Sequence, residues 1–285
     1  MSRLWRDNPL GRCRTLAGNA FKRRVIVHYH LFKNAGSSVD HILSANFGDR
    51  WATVEGGKLW SVLGTDGLAD FIRRHPRLLA VSSHTARLPL PQLPGTTVYP
   101  IFFLRHPIDR AGSIYHFERR RQDGDFSATT ARENDFAGYV RKMLDHPDNE
   151  GIVLRNFHTL CLSQAAAGLT DLRRANVDAS HLEEARHFLA ALPAFGLVEY
   201  FDQSAQRLEN WLKVSFPGIA FFSARVNFQP QREKELEKRI AAMEQDLGPA
   251  LFQRLLDANA HDLQLYRHAV EVFHSHSGED KPTPS

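Results

Sequence analysis

Residues 25–38 read VIVHYHLFKNAGSS, and this stretch decides the fold class. Its first eight residues are mostly apolar and have the length of a buried strand, whereas the next six are small or polar. Apolar residues then recur with helical spacing at Val39, Ile42, Leu43 and Phe47. The pattern predicts a strand, a loop and a helix in direct succession.

Further apolar runs of strand length lie downstream, at 78–83, 98–104 and 195–200. Helical periodicity fits several other segments, at 107–121, 134–145, 179–192, 231–246 and 249–273. Another helix is predicted around 208–212, with Asp202 as its N-cap. Strands that alternate with helices indicate the α/β class, with a central, mainly parallel sheet flanked by helices.

The composition is that of a soluble globular protein. The chain has 285 residues, of which 42% are hydrophobic and 24% charged, so it can bury a full core and is neither disordered nor fibrous. No apolar run approaches the roughly 20 residues that cross a bilayer. The N-terminus has no apolar signal region, so we expect a cytoplasmic location. Cys13 and Cys161 lie far apart in sequence and are expected to be reduced thiols.

The net charge of +4 is unevenly distributed. Residues 1–24 contain seven basic residues and one acidic residue, and the remainder of the chain carries a formal −2. We interpret 1–24 as a basic N-terminal arm, 25–274 as one domain and 275–285 as a mobile polar tail. Because the basic charge is concentrated in the arm, the composition does not indicate a nucleic-acid partner.

Three segments are predicted to converge at one rim of the sheet. Ligands of open parallel sheets bind outside the carboxyl ends of the strands. Those ends are followed here by 33–38, by His84 and by Arg105. A loop, a histidine and an arginine would thus meet, as an anion-handling site requires.

The loop at 33–38 has the composition of an anion cradle. Gly36 would let the backbone turn closely, and Ser37 and Ser38 offer hydroxyls that can cap the helix. Free N–H groups at a helix start favour phosphate. An ordinary helix N-cap explains the same residues. The Walker A pattern fails here, because Ser37 occupies its lysine position and Lys33 lies at the front of the loop.

A second anion could bind between Arg105 and Ser113. Pro107 favours a helix start, and Ser113 follows Arg105 by about two turns of that helix. Arginine supplies a fixed fork of donors for phosphate oxygens. Structural roles are the alternative nearby: Arg110 as an ion-pair former, and 118–121 as a solvated helix end.

Two motifs carry a family resemblance. The stretch HLFKNAGSS at 30–38 resembles the 5′-phosphosulfate loop of sulfotransferases. The pattern RxPxxRxxSxY, which begins at Arg105, resembles their 3′-phosphate motif. The pair is similar to the carbohydrate sulfotransferase branch that includes the heparan sulfate 2-O-sulfotransferases and bacterial relatives. Weaker similarities extend the resemblance over about residues 25–270, at 83–84, 156–159, 196–202 and 262–266.

The chain departs from the family pattern at three positions. His158 and Leu160 replace a Gln and an Arg of the central segment, so an additional contact to the donor from this segment is in doubt. Phe32 replaces a proline that opens the loop in many relatives. None of these changes removes a group that the resemblance assigns to the reaction.

The resemblance implies a P-loop-like three-layer fold and a reaction. The donor would be 3′-phosphoadenosine 5′-phosphosulfate (PAPS), the product 3′-phosphoadenosine 5′-phosphate (PAP), and the acceptor a carbohydrate hydroxyl, with no metal required. Arg105 and Ser113 would hold the 3′-phosphate, and His84 would be the general base. Lys33 would assist the leaving group, and the 5′-phosphate would be bound by Lys33, Asn34, Ala35, Gly36, Ser37 and Ser38.

Other functions stay open at this point. A nucleotide kinase is the enzymatic alternative, although the Gly-Lys pair and a Walker B aspartate are missing. A non-catalytic module that binds nucleotides or anionic glycans is the other. His28 and His30 face the same side of a strand, but no third metal ligand is evident, so packing or support of the donor site is preferred.

The acceptor is the least specified part of this prediction. Arg119–Arg121 and the basic arm could attract an anionic polysaccharide, although basic arms also bind membranes and proteins. Helices within 119–145 and 165–192 are the expected acceptor walls, because they lie outside the shared motifs.

Overall fold

A four-stranded sheet forms the centre of the molecule, in a computed structural model that describes residues 22–57, 60–222, 233 and 235–275. Its strands are β1 (Arg23–Tyr29), β2 (Trp51–Thr53), β3 (Ala80–Ser83) and β4 (Thr96–Ile101). They are arranged in the order β2-β3-β1-β4, and every pairing is parallel. The predicted α/β class with a central parallel sheet is confirmed.

The strand predicted at 98–104 divides between two sheets. Its first part is β4, which pairs with β1, and its last two residues form β5 (Phe103–Leu104). Strand β5 pairs in parallel with β6 (Gly196–Leu197). Pro100 lies on β4, an edge strand of the main sheet, where its missing N–H costs least.

Helices flank the sheet. In chain order they are α1 (Gly36–Phe47), α2 (Thr65–Arg74), α3 (Pro107–Glu118), α4 (Phe126–Glu133), α5 (Phe136–Asp145), α6 (Phe157–Leu162), α7 (Ala179–Ala191), α8 (Phe201–Leu212), α9 (Leu236–Leu247), α10 (Pro249–Ala258) and α11 (Ala260–Ser275). Within the described ranges, no helix combines the length and the apolar character that crossing a membrane requires.

The side chains of β1 alternate between two cores. Val25 and Val27 belong to the larger core, together with residues of α3, α5, α7 and α11. Ile26 belongs to a second core on the opposite face, which includes Val39 and Ile42 of α1 and residues of α8. This alternation follows from the two-residue period of a strand and produces helix, sheet and helix layers.

Several predicted boundaries were wrong. The segment 249–273 is two helices, because the Asn259 side chain donates to the Leu154 and Leu255 carbonyl oxygens at 2.7 and 2.9 Å where α10 ends. Asp202 lies inside the first turn of α8, whose N-cap is Tyr200, so Asp202 is not the cap.

Only the last residues of the predicted arm and the first residue of the predicted tail are among the described residues. Arg23 and Arg24, assigned to the arm, are the first residues of β1. The guanidinium of Arg23 donates to carbonyl oxygens of Ile72 and His75 at 2.8 and 2.7 Å, which fixes the start of the strand. Residues 1–21, which include Cys13, and residues 276–285 lie outside the described residues.

Candidate donor cavity

Residues that follow β1, β3, β5 and β6 line one cavity with a volume of about 900 Å³. This is within the usual size range of small-molecule pockets. Helices α3 and α9 supply other parts of the wall. The predicted catalytic and donor-binding residues that lie on it are Lys33, Ala35, Gly36, Ser37, Ser38, His84, Arg105 and Ser113. His30, Phe32 and Arg120, which the sequence analysis also discussed, lie on it too. The three segments expected at one rim therefore meet in space.

The loop after β1 has an uncommon backbone. Lys33 and Ala35 adopt left-handed conformations with φ of 63° and 61°, which are uncommon for non-glycine residues. Ala35 is the N-cap of α1, and its carbonyl accepts the Ser38 N–H at 3.0 Å. Ser37 and Ser38 are inside the first helical turn and no side chain caps it, so the prediction of a serine cap was wrong.

Gly36 is needed for packing. We expected it to permit a tight turn, but it is the first residue of α1 and lies against the His30 ring. A Cβ at this position would be 1.9 Å from His30 Cδ2. The glycine thus lets the helix start approach an imidazole closely.

The Asn34 side chain anchors the loop to neighbouring segments of the fold. Its side-chain amide donates to the Phe103 carbonyl oxygen at 2.9 Å and to His158 Nε2 at 2.8 Å. Asn34 is buried and is not part of the cavity wall, so its side chain supports the loop from outside the cavity. The buried Asp262 carboxylate of α11 accepts the His158 N–H at 2.9 Å. The loop is thereby connected to α6 and α11.

Two predicted phosphate-binding segments contact each other directly. Arg105 donates through Nη1 to the Lys33 carbonyl oxygen at 3.2 Å. The Lys33 ammonium lies 4.3 Å from the centre of the Phe117 ring, a cation–π distance. Phe117 lies on α3, the helix that also carries Ser113. Both segments therefore face one space.

A buried carboxylate orients the guanidinium of Arg105. Asp109 is fully buried and accepts from Arg105 Nε at 2.7 Å. Its other oxygen accepts from Arg239 Nε, also at 2.7 Å. Because Arg239 lies on α9, the carboxylate brings basic groups from two distant segments to the cavity wall. Sequence reasoning missed Arg239, since no local pattern shows where α9 packs.

The wall also contains an acid that the sequence did not single out. Glu199 follows β6 and accepts the His106 N–H at 2.9 Å. Burial raises the pKa of the Glu199 carboxyl and lowers the pKa of His106 to about 4. Both changes favour neutral side chains beside the predicted 3′-phosphate site.

His84 and Glu55 form a pair at the cavity rim, called here the rim pair. His84 Nδ1 lies 2.9 Å from Glu55 Oε1, and the His84 side chain is 46% exposed. Glu55 follows β2. That strand was not predicted, because its three residues, Trp51–Thr53, are too few to show a period.

His28, His30 and Asp40 form a second group of histidines and carboxylate beneath the rim, called here the inner cluster. His28 Nδ1 and His30 Nδ1 lie 2.8 and 2.7 Å from different oxygens of Asp40. Burial lowers the pKa of His30 to about 4. Burial also raises the pKa of Asp40, but hydrogen bonds from both histidines outweigh it and lower that pKa overall.

One nitrogen from each histidine and one Asp40 oxygen of the inner cluster lie within 4.8 Å of one another, a spacing that a cation site would also have. The hydrogen bonds of the inner cluster account for the same arrangement, because each imidazole already has an oxygen of Asp40 as its Nδ1 partner. The His30 ring stacks on His84 with centroids 3.8 Å apart, which links the inner cluster to the rim pair.

Arg110 has a structural role, although not as the ion-pair former that the sequence predicted. It is buried, donates to the Val153 carbonyl oxygen at 2.6 Å and lies 4.8 Å from the Phe157 ring centre. Burial lowers its pKa to about 10. The expected solvated helix end at 118–121 is partly wrong too, because Glu118 is buried and paired with Arg121 at 2.9 Å.

No protein-family model matches the chain. The chain is 36% identical over 256 residues to an uncharacterized protein of Archaeoglobus fulgidus. The aligned region covers 88% of this chain and 98% of the archaeal protein. Similarity of this extent shows that the chain belongs to the same family as that archaeal protein.

Proposed function

We propose that the protein is a sulfotransferase that moves a sulfuryl group from PAPS to a carbohydrate hydroxyl. One observation carries the proposal: the loop containing Lys33 and Gly36, the pair Arg105 and Ser113, and His84 line the same cavity. A nucleotide with phosphates at both its 5′ and 3′ positions requires two anion sites facing one space, with a base near the sulfur.

The two anion sites differ in construction. At the first, the start of α1 supplies N–H groups and the positive end of the helix dipole, and Lys33 supplies a charge. At the second, Asp109 fixes Arg105, and Ser113 adds a hydroxyl from α3. The first suits the 5′-phosphosulfate and the second the 3′-phosphate, which distinguishes PAPS from ATP.

The reaction is an in-line displacement at sulfur. The acceptor oxygen forms a bond to sulfur while the bond from sulfur to the bridging oxygen of the 5′-phosphate breaks. His84 takes the proton of the acceptor hydroxyl, and Lys33 with the loop N–H groups stabilises the charge that develops on the leaving PAP. The products are a sulfate ester, PAP and one proton, which the imidazole releases to solvent.

Ligand binding separates this proposal from the two alternatives. Calorimetric titration should show PAP binding without a divalent cation, at least about tenfold more tightly than ADP with Mg²⁺, because ADP lacks a group for Arg105. Preference for ADP with Mg²⁺ would favour a kinase and contradict the proposal.

Transfer of labelled sulfate from PAPS to a panel of glycans, small alcohols and tyrosine peptides tests the reaction. We expect label on a glycan, with the same yield in the presence of a chelator. PAP binding with no transfer to any acceptor would support a non-catalytic binding module instead.

Lys33→Ala tests the loop. We expect weaker PAP binding and a loss of about 10²–10³ in kcat/KM, since one charge-stabilising group is removed. Lys213→Ala is the matched control, because Lys213 is exposed and lies outside the cavity. Equal kinetics of the two variants would remove the proposed role of Lys33.

A further inference from the structure

The pairing of β2 with β3 places Glu55 beside the end of β3. Thr53 is in register with Ser82, and the Val54 N–H donates to the Ser82 carbonyl oxygen at 3.0 Å. Two strands that end at the same edge thus bring Glu55 next to His84. The sequence separation is 29 residues, so no local pattern links these two side chains.

The Glu55 carboxylate is surrounded by donors. Oε1 accepts from His84 N at 3.0 Å and lies 2.9 Å from His84 Nδ1. Oε2 accepts from Thr85 N at 3.0 Å and from Thr85 Oγ1 at 2.8 Å. Burial raises the pKa of Glu55, but these hydrogen bonds outweigh it and lower that pKa below its usual value. Glu55 is therefore a charged acceptor at neutral pH.

An ionised carboxylate can only accept hydrogen bonds, so its partner His84 Nδ1 must carry a proton. In the neutral imidazole the other ring nitrogen, Nε2, then has a bare lone pair, on a side chain that lines the cavity. His30, stacked on the ring, stays neutral at this pH and does not repel the cation that forms when Nε2 takes a proton.

We infer that Glu55 is a positioning residue, which holds the His84 imidazole in its Nδ1–H tautomer and directs Nε2 into the cavity as the proton acceptor. The role in turnover rests on the proposed sulfuryl transfer. The tautomer and its dependence on Glu55 do not, because they are properties of the protein alone.

Nitrogen NMR of protein labelled with ¹⁵N-histidine, without donor or acceptor, tests the tautomer. We expect the neutral form of wild-type His84 to show a protonated Nδ1 and a bare Nε2. In Glu55→Gln the amide NH₂ group should turn toward the His84 ring, because the imidazole can exchange tautomers whereas a backbone N–H cannot. The amide oxygen at the Oε2 position can then accept both the Thr85 N–H and the His84 backbone N–H, which lie 3.0 and 3.1 Å from Oε2 in the wild type. The Nε2–H form should then become populated. An Nε2–H form in the wild type, or an unchanged tautomer in the variant, would overturn the inference.

Steady-state sulfuryl transfer by the same variant tests the consequence. Glu55→Gln should lower kcat by about 10- to 100-fold while KM for PAPS and the affinity for PAP change less than about threefold. Thr85→Val is the matched control, because it removes the hydrogen bond that Thr85 Oγ1 donates to Glu55 Oε2 and the one that it accepts from the Gly56 N–H, and it leaves the contact between Glu55 and His84 intact. It should keep kcat within about threefold of the wild type.

These outcomes separate the two proposals. Equal losses in Glu55→Gln and Thr85→Val would show that Glu55 only supports the loop, which overturns the positioning role. A wild-type protein with no transferase activity overturns the proposed function, and the NMR measurement then still decides whether Glu55 sets the tautomer of His84.

Discussion

The rim pair and the inner cluster use the same chemistry in different surroundings. In both, a carboxylate faces imidazole Nδ1 atoms, at 2.9 Å for Glu55 and His84 and at 2.7 Å for Asp40 and His30. The His84 side chain is 46% exposed, whereas that of His30 is 10% exposed. An exposed imidazole can gain and lose a proton during a reaction, but burial keeps His30 neutral. Under the proposed mechanism, burial thus separates two similar pairs into a reactive group at the rim and a structural group beneath it.

The largest expected effect comes from deleting the exposed imidazole. His84→Ala should lower kcat for sulfuryl transfer by about 10²–10⁴ while PAP affinity is largely kept. The substitution removes the proposed base but removes no proposed contact to the sulfuryl donor. Thermal unfolding should change little, since the side chain is half exposed. Unchanged turnover would eliminate His84 as the base, and a large loss of stability would contradict the contrast with the inner cluster.

Substitution in the buried inner cluster should instead lower the stability of the protein. Asp40→Asn leaves two buried imidazoles with a weaker partner, so the free energy of unfolding should fall by about 2–4 kcal/mol in urea titrations. Glu55→Gln, at the more exposed pair, should cost less. If Glu55→Gln were the more destabilising change, the division between scaffold and reactive group would be wrong.

Gly36→Ala tests the contact between the inner cluster and the loop at 33–38. The added Cβ would overlap the His30 ring, so we expect a loss of about 1–3 kcal/mol in stability and weaker PAP binding. His30→Ala is expected to make room for it. PAP titration of the double variant should therefore show a smaller effect of the glycine substitution than in the wild-type background, and equal effects would refute the steric cause.

The smallest effect concerns pH. The pKa of His30 is lowered from 6.5 to about 4 on folding, so between these values the unfolded chain binds the extra proton. Stability should consequently fall as the pH falls, by about 1–2 kcal/mol for this group between pH 7 and pH 5. His30→Gln should flatten urea-derived stability profiles over this interval. Parallel profiles for the variant and the wild type would contradict the neutral state of buried His30.

The sequence was most informative where long apolar runs precede polar residues. Such runs located β1, β3 and β5, and with them Lys33, His84 and Arg105 at the sheet edge. The short strand β2 was missed, because three residues show no detectable period. Glu55, which follows β2, was therefore not identified as a neighbour of His84.

Residues whose positions depend on packing were also missed. Arg239 reaches Asp109 because α9 lies close to α3, where a Cβ on Gly112 would be 2.4 Å from Met243 Cε. That approach is a tertiary contact between distant segments, and no spacing within either helix encodes it. The role of Gly36 was misassigned for the same reason, since its neighbour is the His30 side chain.

Hydrogen bonds from Asn34 to His158 and from His158 to Asp262 connect the loop at 33–38 to α11. None of the described residues that line the cavity lies on α11. A truncation that removes α11 would therefore leave every one of these lining residues in the chain, but it would withdraw the carboxylate that holds α6 and, through α6, the loop. The cavity can thus be disrupted without changing any residue on its wall.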